Sequence, residues 1–212
     1  MGLSQLPNSI DSNEPFFYNP NMKSSTSRNR VINAAIYFAS HTRNCGKIKL
    51  FKLFYLLDFE HYRQTGRSVT GFDYQAWKFG PVPVELMQEW DHFRNDLAES
   101  IRIEREQIID YSRMSVKVND GVEFDESEFT PRQIKIMQSL CKKYHDNYSG
   151  DMIDVTHQQN GAWSKVWDDG NGDRTIIPYE LSIPDDFEYR EDILHLANEA
   201  LGVSKRTEDN DY

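Results

Sequence analysis

The sequence has little of what usually announces a function. Of 212 residues only Cys45 and Cys141 are cysteine, too few for a disulfide framework. Both fall in or beside segments with helical patterning, where cysteine acts as a small hydrophobe. No apolar run approaches the about 20 residues needed to span a bilayer; uncharged ones such as Leu53–Leu57 are far shorter. The first residues lack a basic start followed by an apolar stretch, so no secretory leader is read and the expected location is cytoplasmic, away from membrane. There is no G-x-G-x-x-G, no Walker loop, no G-x-S-x-G, no H-E-x-x-H and no C-x-x-C. Nucleotide binding, serine hydrolysis and zinc chemistry are therefore left without a motif, and no cofactor is expected. No internal repeat is found.

Positive charge is also scarce. Lys and Arg number 24 against 34 Asp and Glu, a net charge of −10. Nucleic-acid affinity rests largely on basic side chains releasing counterions from phosphates, so no nucleic-acid partner is expected. A basic or apolar protein partner suits the charge better. Lys47, Lys49 and Lys52 form one local basic group, and Arg102 and Arg105 another; both read as solvated rims.

Aromatic rings, by contrast, are plentiful: 12 Phe, 11 Tyr and 4 Trp. They can supply much of a core. Residues 1–27 are rich in Ser, Asn and Pro and have no helical or strand period, which predicts a flexible arm carrying Phe16, Phe17 and Tyr18. A helix is expected from Ser27, with Val31, Ala35, Phe38 and Ala39 on one stripe. From Ile48 to Tyr62 apolar residues cover nearly the whole helical circumference, which predicts a helix enclosed on most sides, at the centre of the domain. Gly66 is placed to stop it.

Ser68–Trp77 reads as an extended segment or small hairpin. Gly80-Pro81-Val82-Pro83 is expected to break regular structure, with Pro83 opening a helix whose buried face is Leu86, Trp90, Phe93 and Leu97. Val116 and Val118 before Asn119-Asp120-Gly121, and Val122 and Phe124 after it, predict a hairpin turning at Asn119–Gly121. Thr130-Pro131-Arg132-Gln133 is a capping-box start, followed by Ile134, Met137, Cys141 and Tyr144 on the buried face. A short helix over Ser149–His157, a polar loop over Asp168–Arg174, and a helix over Asp185–Leu201 with Ile193, Leu196, Ala197 and Ala200 inward complete the reading. Trp163 and Trp167 read as core contacts. The whole is mainly α with a small β element, an α+β domain of helices around a central buried helix with short antiparallel hairpins.

The stretch Lys49–Leu86 carries Lys52-Leu53, Asp58-Phe59-Glu60-His61, Gly66-Arg67, Thr70-Gly71, and Trp77 leading into Gly80-Pro81-Val82-Pro83. It resembles the Panacea domain, also described as the SocA-like antitoxin domain. Val155-Thr156-His157, Ala162-Trp163, and Ile176-Ile177-Pro178 with Glu180 resemble the family's later elements. The resemblance implies a Panacea domain over 28–181, and composition and patterning add an arm (1–27), a helical extension (182–204) and a polar tail (205–212). The arm is additional to the family pattern, and the acidic stretch beyond Leu181 departs from the short helix that commonly closes it. The resemblance also implies a helical domain acting as the antitoxin of a toxin–antitoxin pair, neutralising a protein toxin encoded next to it. An alternative within the family is an adaptor that hands its toxin to a protease.

Asp58, His61 and His157 invite an acid–base or metal reading, since Asp58 and His61 share a helical face. The favoured reading is a structural polar network, with Asp58 bonded to Arg67 or to nearby backbone N–H groups. No catalysis is expected; an enzyme using Asp58 and His61 is the remote alternative. Asp169, Asn171, Asp173 and Glu180 partly match a calcium loop, but Arg174 stands where the turn needs Gly. The candidate partner-binding residues are Arg67, Tyr74, Trp77, Phe79, Pro81 and Pro83, because aromatic residues dominate binding hot spots.

Overall fold

The computed structural model describes residues 25–158 and 161–208, with side chains described over 27–158 and 161–200. Most of the expected arm, with Phe16–Tyr18, and the last four residues lie outside the described residues. Among the described residues there are eight α-helices and two two-stranded antiparallel sheets, a mainly α fold with a small β element.

Helix α2 (Lys47–Thr65) is the axis. Its rings and leucines are buried round nearly the full circumference, from Leu50 and Phe51 to Phe59 and Tyr62. It packs against α1 (Ser25–His41), α5 (Pro131–Tyr144), α6 (Ser149–Thr156), α8 (Arg190–Glu208) and strands β2 (Gly80–Pro83) and β4 (Ser112–Val118). Edge-to-face rings continue the core outward: Phe38 meets Phe54 at 5.8 Å, and Phe54 meets Phe72 at 5.5 Å. Such pairs add about 0.5–1.5 kcal/mol each beyond burial. Gly66 ends α2 in the left-handed conformation (φ 69°), and its N–H bonds back to the Tyr62 carbonyl at 2.8 Å. A Cβ there would also lie 2.7 Å from the Ile193 carbonyl of α8, so the same glycine lets α8 approach.

The sealing of α2 corrects the reading of its lysines as a solvated rim. Lys49 and Lys52 are 0% and 2% exposed. Where a helix is apolar round most of its circumference it is enclosed on most sides, and a lysine on an enclosed side is enclosed with it.

Gly80–Pro83 is likewise not a break but the second strand of a hairpin with β1 (Tyr74–Trp77), pairing Tyr74 with Pro83 and Trp77 with Gly80. The Val84 N–H donates to the Asp73 carbonyl at 2.9 Å, so the even-numbered backbone groups face β1. Pro81 and Pro83 alternate with them and face away, where a missing N–H costs no ladder bond. The outer edge of β1 is closed by the chain at 174–177: Ala76 N–H donates to Thr175 (2.9 Å) and Ile177 N–H to Tyr74 (2.7 Å).

The single helix expected after Pro83 is two, α3 (Val84–Gln88) and α4 (Asn95–Ser100). The chain turns between them because Arg28 of α1 reaches in. Its guanidinium grips buried Glu89 at 2.5 and 2.9 Å and Asp96 at 2.7 and 2.8 Å. Leu86, Trp90 and Leu97 are buried all the same. The second hairpin also turns elsewhere than expected. Strand β4 pairs with β3 (Ile101–Gln107), Val118 opposite Ile101 and Val116 opposite Ile103, and the turn is at Ile108–Tyr111. The β partner of the two valines thus precedes them, and Asn119–Gly121 only leads the chain out.

Helix α5 begins with the expected capping box, Gln133 Oε1 accepting from Thr130 N–H at 2.9 Å. Its Ile134, Met137, Cys141 and Tyr144 are buried. Helix α7 (Ala162–Trp167) buries Trp163 and half-buries Trp167, with their rings stacked at 5.5 Å. Helix α8 starts at Arg190, later than expected, and runs on to Glu208. Ile193 and Ala197 are buried on it but Leu196 is exposed, because only a narrow stripe lies against the Gly66 corner.

Candidate functional site

The signature residues of α2 and the following hairpin occupy three distinct places. The first is a sealed carboxylate. Asp58 has no exposed surface. Its Oδ1 accepts the backbone N–H groups of Val69 (2.7 Å) and Thr70 (2.8 Å); its Oδ2 accepts the Tyr74 hydroxyl (2.7 Å) and the Thr70 hydroxyl. Burial pushes the Asp58 carboxyl up, against these four bonds, and burial beside Asp58 pushes the Tyr74 hydroxyl well up. Both oxygens are saturated by donors that fold the chain, so the group is a staple joining α2 to the 69–74 segment. Arg67 is not a partner of this carboxylate.

His61 lies in the next turn and is held separately. Its Nδ1 is 2.6 Å from the Arg67 carbonyl and therefore carries the proton. Burial lowers its affinity for a second one. Glu60 points away and pairs with Arg63 at 2.8 Å. His157 does not join the pair. Its ring lies flat on Trp163, 3.8 Å between centroids and 1° from parallel, and its Nε2 is buried without a hydrogen-bond partner. Among the described residues no three His, Cys, Asp or Glu side chains converge as metal ligands. Glu180, the last position of the partial calcium pattern, accepts instead from the Tyr62 hydroxyl at 3.2 Å.

The second place is a buried lysine, one that the sequence reading sets in a solvated rim. Lys52 Nζ donates to the Pro81 carbonyl at 2.9 Å. Burial lowers its pKa to about 7. A Cβ on Gly80 (φ 96°) would lie 2.6 Å from this Nζ and 2.8 Å from the Thr156 hydroxyl, so the lysine and the base of the β1–β2 turn need the bare glycine backbone between them. A lysine at an interior position of an all-apolar helix was the available signal.

The third place is the tip of that hairpin. Phe79 is 62% exposed, with the Lys78 ammonium 5.8 Å from its ring centre. Trp77 is half-buried; Arg174 lies over its ring at 4.7 Å, and its carbonyl accepts the Trp163 indole N–H at 3.0 Å. Ile176, bridged to Gln75, is 45% exposed beside them. Tyr74, Pro81 and Pro83 are buried, which corrects their candidacy for partner contact: β2 is wedged against α2 and α6. Arg67 is exposed but belongs to the Gly66 corner, its carbonyl held by His61. The tip thus combines two aromatic rings, an arginine and an isoleucine, while Arg174 and Ile176 join it only through the fold.

Comparison with known proteins gives one family match. The model of the antitoxin SocA-like, Panacea domain matches residues 50–164, just over half of the chain. No curated protein and no solved structure matches. Among the described residues no helix is long and apolar enough to cross a membrane.

Proposed function

This chain belongs to the antitoxin SocA-like, Panacea domain family, and from that premise we propose that it is the antitoxin of a toxin–antitoxin pair, binding and neutralising a protein toxin encoded nearby. The observation that carries the reading is the hairpin tip. Within the matched span, most of the signature's rings and prolines are buried, but Phe79 projects into solvent at the hairpin tip, two residues on from Trp77, whose ring Arg174 covers from outside that span. Exposed aromatic and arginine side chains on a rigid base have the composition of a binding hot spot. The net charge of −10 suits a basic partner and speeds its encounter. The chain works by binding and carries out no chemistry of its own, in keeping with an Asp58 whose lone pairs are all engaged by folding contacts.

Co-expression is the test. A neighbouring gene product should arrest growth alone and be harmless with this protein. Phe79→Ala should weaken capture by about 2 kcal/mol, roughly thirtyfold, without lowering the melting temperature. Failure of every neighbouring product to be toxic sinks the reading. The protease-adaptor alternative separates on the toxin's half-life, which delivery shortens and simple occlusion does not.

A further inference from the structure

Helix α2 is not covered on every side. Leu56, Glu60 and Arg63 are half-buried and Gln64 is exposed, and these positions share one face at helical spacing. They floor a groove of about 1630 Å³ bounded by α5, by residues 155–158 and 161–165, and by the chain at 181–193. That is larger than the roughly 300–1,000 Å³ of a small-molecule site and suits a segment of polypeptide. Its base is apolar, with Leu56, Ile136, Leu140 and Val155 among the lining side chains.

The α5 wall gives the groove its sign. Arg132, Lys135 and Lys143 line it and are exposed. Arg132 reaches only the Gln64 carbonyl, at 3.4 Å, and the Lys143 ammonium lies 5.1 Å from the Tyr144 ring centre. Among the described residues none of the three is paired with a carboxylate. The other basic side chains of the groove are paired: Arg63 with Glu60 at 2.8 Å, and Lys165 with Asp185 at 3.8 Å. In a chain of net charge −10, three unpaired cations along one side of an apolar trough, with Asp185 and Asp186 on the other side, form a site complementary to an apolar stripe with acid along one flank.

We propose that this groove receives an amphipathic helix of the partner protein with acid along one flank of its apolar stripe, a second contact distinct from the hairpin tip. The inference rests on the reading that the chain acts by binding a protein, and it names the chemistry of the segment bound. Helix-in-groove recognition supplies the geometry: anchors at i, i+3, i+4 and i+7 sit on the apolar floor, and the flanking carboxylates face α5. The charges set orientation and encounter rate more than affinity.

The test uses the full-length chain and a fluorescein-labelled synthetic helix of about four turns, with leucine at that spacing and glutamate along the one flank that would face α5, followed by fluorescence anisotropy. Binding should weaken on the order of tenfold in the Lys135→Glu, Lys143→Glu double variant, and similarly when the peptide's glutamates become lysines. Both lysines are exposed, so the variant's melting curve should match the wild type. Equal binding by both chains, or no binding at all, overturns the proposal. If the peptide binds in the expected pattern while no neighbouring gene product is toxic, the groove stands and the antitoxin reading falls. If a toxin is neutralised equally by wild-type and double-variant chains and the peptide does not bind, the reverse holds. Peptide binding that appears only after Phe16→Ser, Phe17→Ser and Tyr18→Ser would assign the groove to this chain's own N-terminal segment. A dimer dispersed by the lysine reversals would assign it to a second copy. Either result overturns the proposal.

Discussion

Lys49 and Lys52 stand three residues apart on α2, both closed off from water, and they are held in opposite ways. The Lys49 ammonium donates to three carbonyls, those of Arg43 (2.6 Å), His145 (3.0 Å) and Asn147 (2.9 Å). All three of its protons are used. It ties the α1–α2 turn to the end of α5. Lys52, among the described residues, donates to the Pro81 carbonyl alone. A buried charge is tolerable when every donor is matched and costly when it is not. Burial lowers the proton affinity of both, and takes Lys52 down to about 7. The well-held lysine belongs to the scaffold. The poorly held one lies behind the hairpin whose tip is the proposed contact, where local rules of stability are most often broken.

The comparison breaks first at Lys49. Lys49→Met keeps the length of the side chain and removes the donor shared by three part-buried carbonyls, of which the His145 carbonyl keeps the Arg43 N–H at 2.9 Å. An unsatisfied buried acceptor costs about 1–3 kcal/mol, so with the Arg43 and Asn147 carbonyls left without this donor a loss of about 2–4 kcal/mol is expected, seen as a lower urea midpoint at unchanged m-value. A loss under about 1 kcal/mol would mean that water reaches those carbonyls and that the two lysines are not different in kind.

The next effect is in pH dependence. The folded-state pKa of Lys52, about 7, lies below the unfolded value of about 10.4. Between them the unfolded chain holds the proton and the folded chain does not. Stability from this residue therefore rises with pH across that window and is flat below it. The stability difference between wild type and Lys52→Met should shift by about 2–3 kcal/mol in favour of wild type from pH 7 to pH 9. Chemical denaturation at the two pH values measures it, and parallel curves would put Lys52 in contact with solvent.

The same helix shows what could be read in the sequence and what could not. Its all-round apolar character, the Gly66 stop and the Thr130 capping box are local signals, and each corresponds to an observed feature. Lys49 and Lys52 were misread because charge was weighed apart from the helix that carries it. The break after α3 depends on Arg28, far away in sequence, gripping Glu89 and Asp96. The β1–β2 pairing was hidden because proline argues against a strand until its alternation with hydrogen-bonding residues is known. At the candidate site Trp77 and Phe79 stood out as rings, but sequence offered no sign that Tyr74, Pro81 and Pro83 turn inward. Arg174 and Ile176 reach the tip through pairing beyond α7, and the groove exists only where α2, α5 and α7 diverge. Both are tertiary features with no local pattern.

The smallest expected effect is the sharpest, because its sign is opposite to that at Lys49. Below pH 7 Lys52 is charged in both states, and the folded state bears the full burial penalty. A pKa lowered from the ordinary lysine range to about 7 corresponds to at most about 5 kcal/mol. Lys52→Met removes that penalty but leaves the Pro81 carbonyl without its donor, at about 1–3 kcal/mol. With the lost donor at its full cost, the net expectation at pH 6 is a gain of about 2 kcal/mol, in line with replacing a buried ion by a hydrophobe of similar volume. As pH rises, wild-type Lys52 becomes neutral while still donating to Pro81, so the two stability curves should cross and the variant should be the less stable by about pH 9.5. If the loosened Pro81 contact also matters to the tip, Lys52→Met will be more stable at pH 6 and yet capture the toxin less well. A variant that is destabilised at pH 6 would show that Lys52 is held as completely as Lys49, and the contrast between them would be gone.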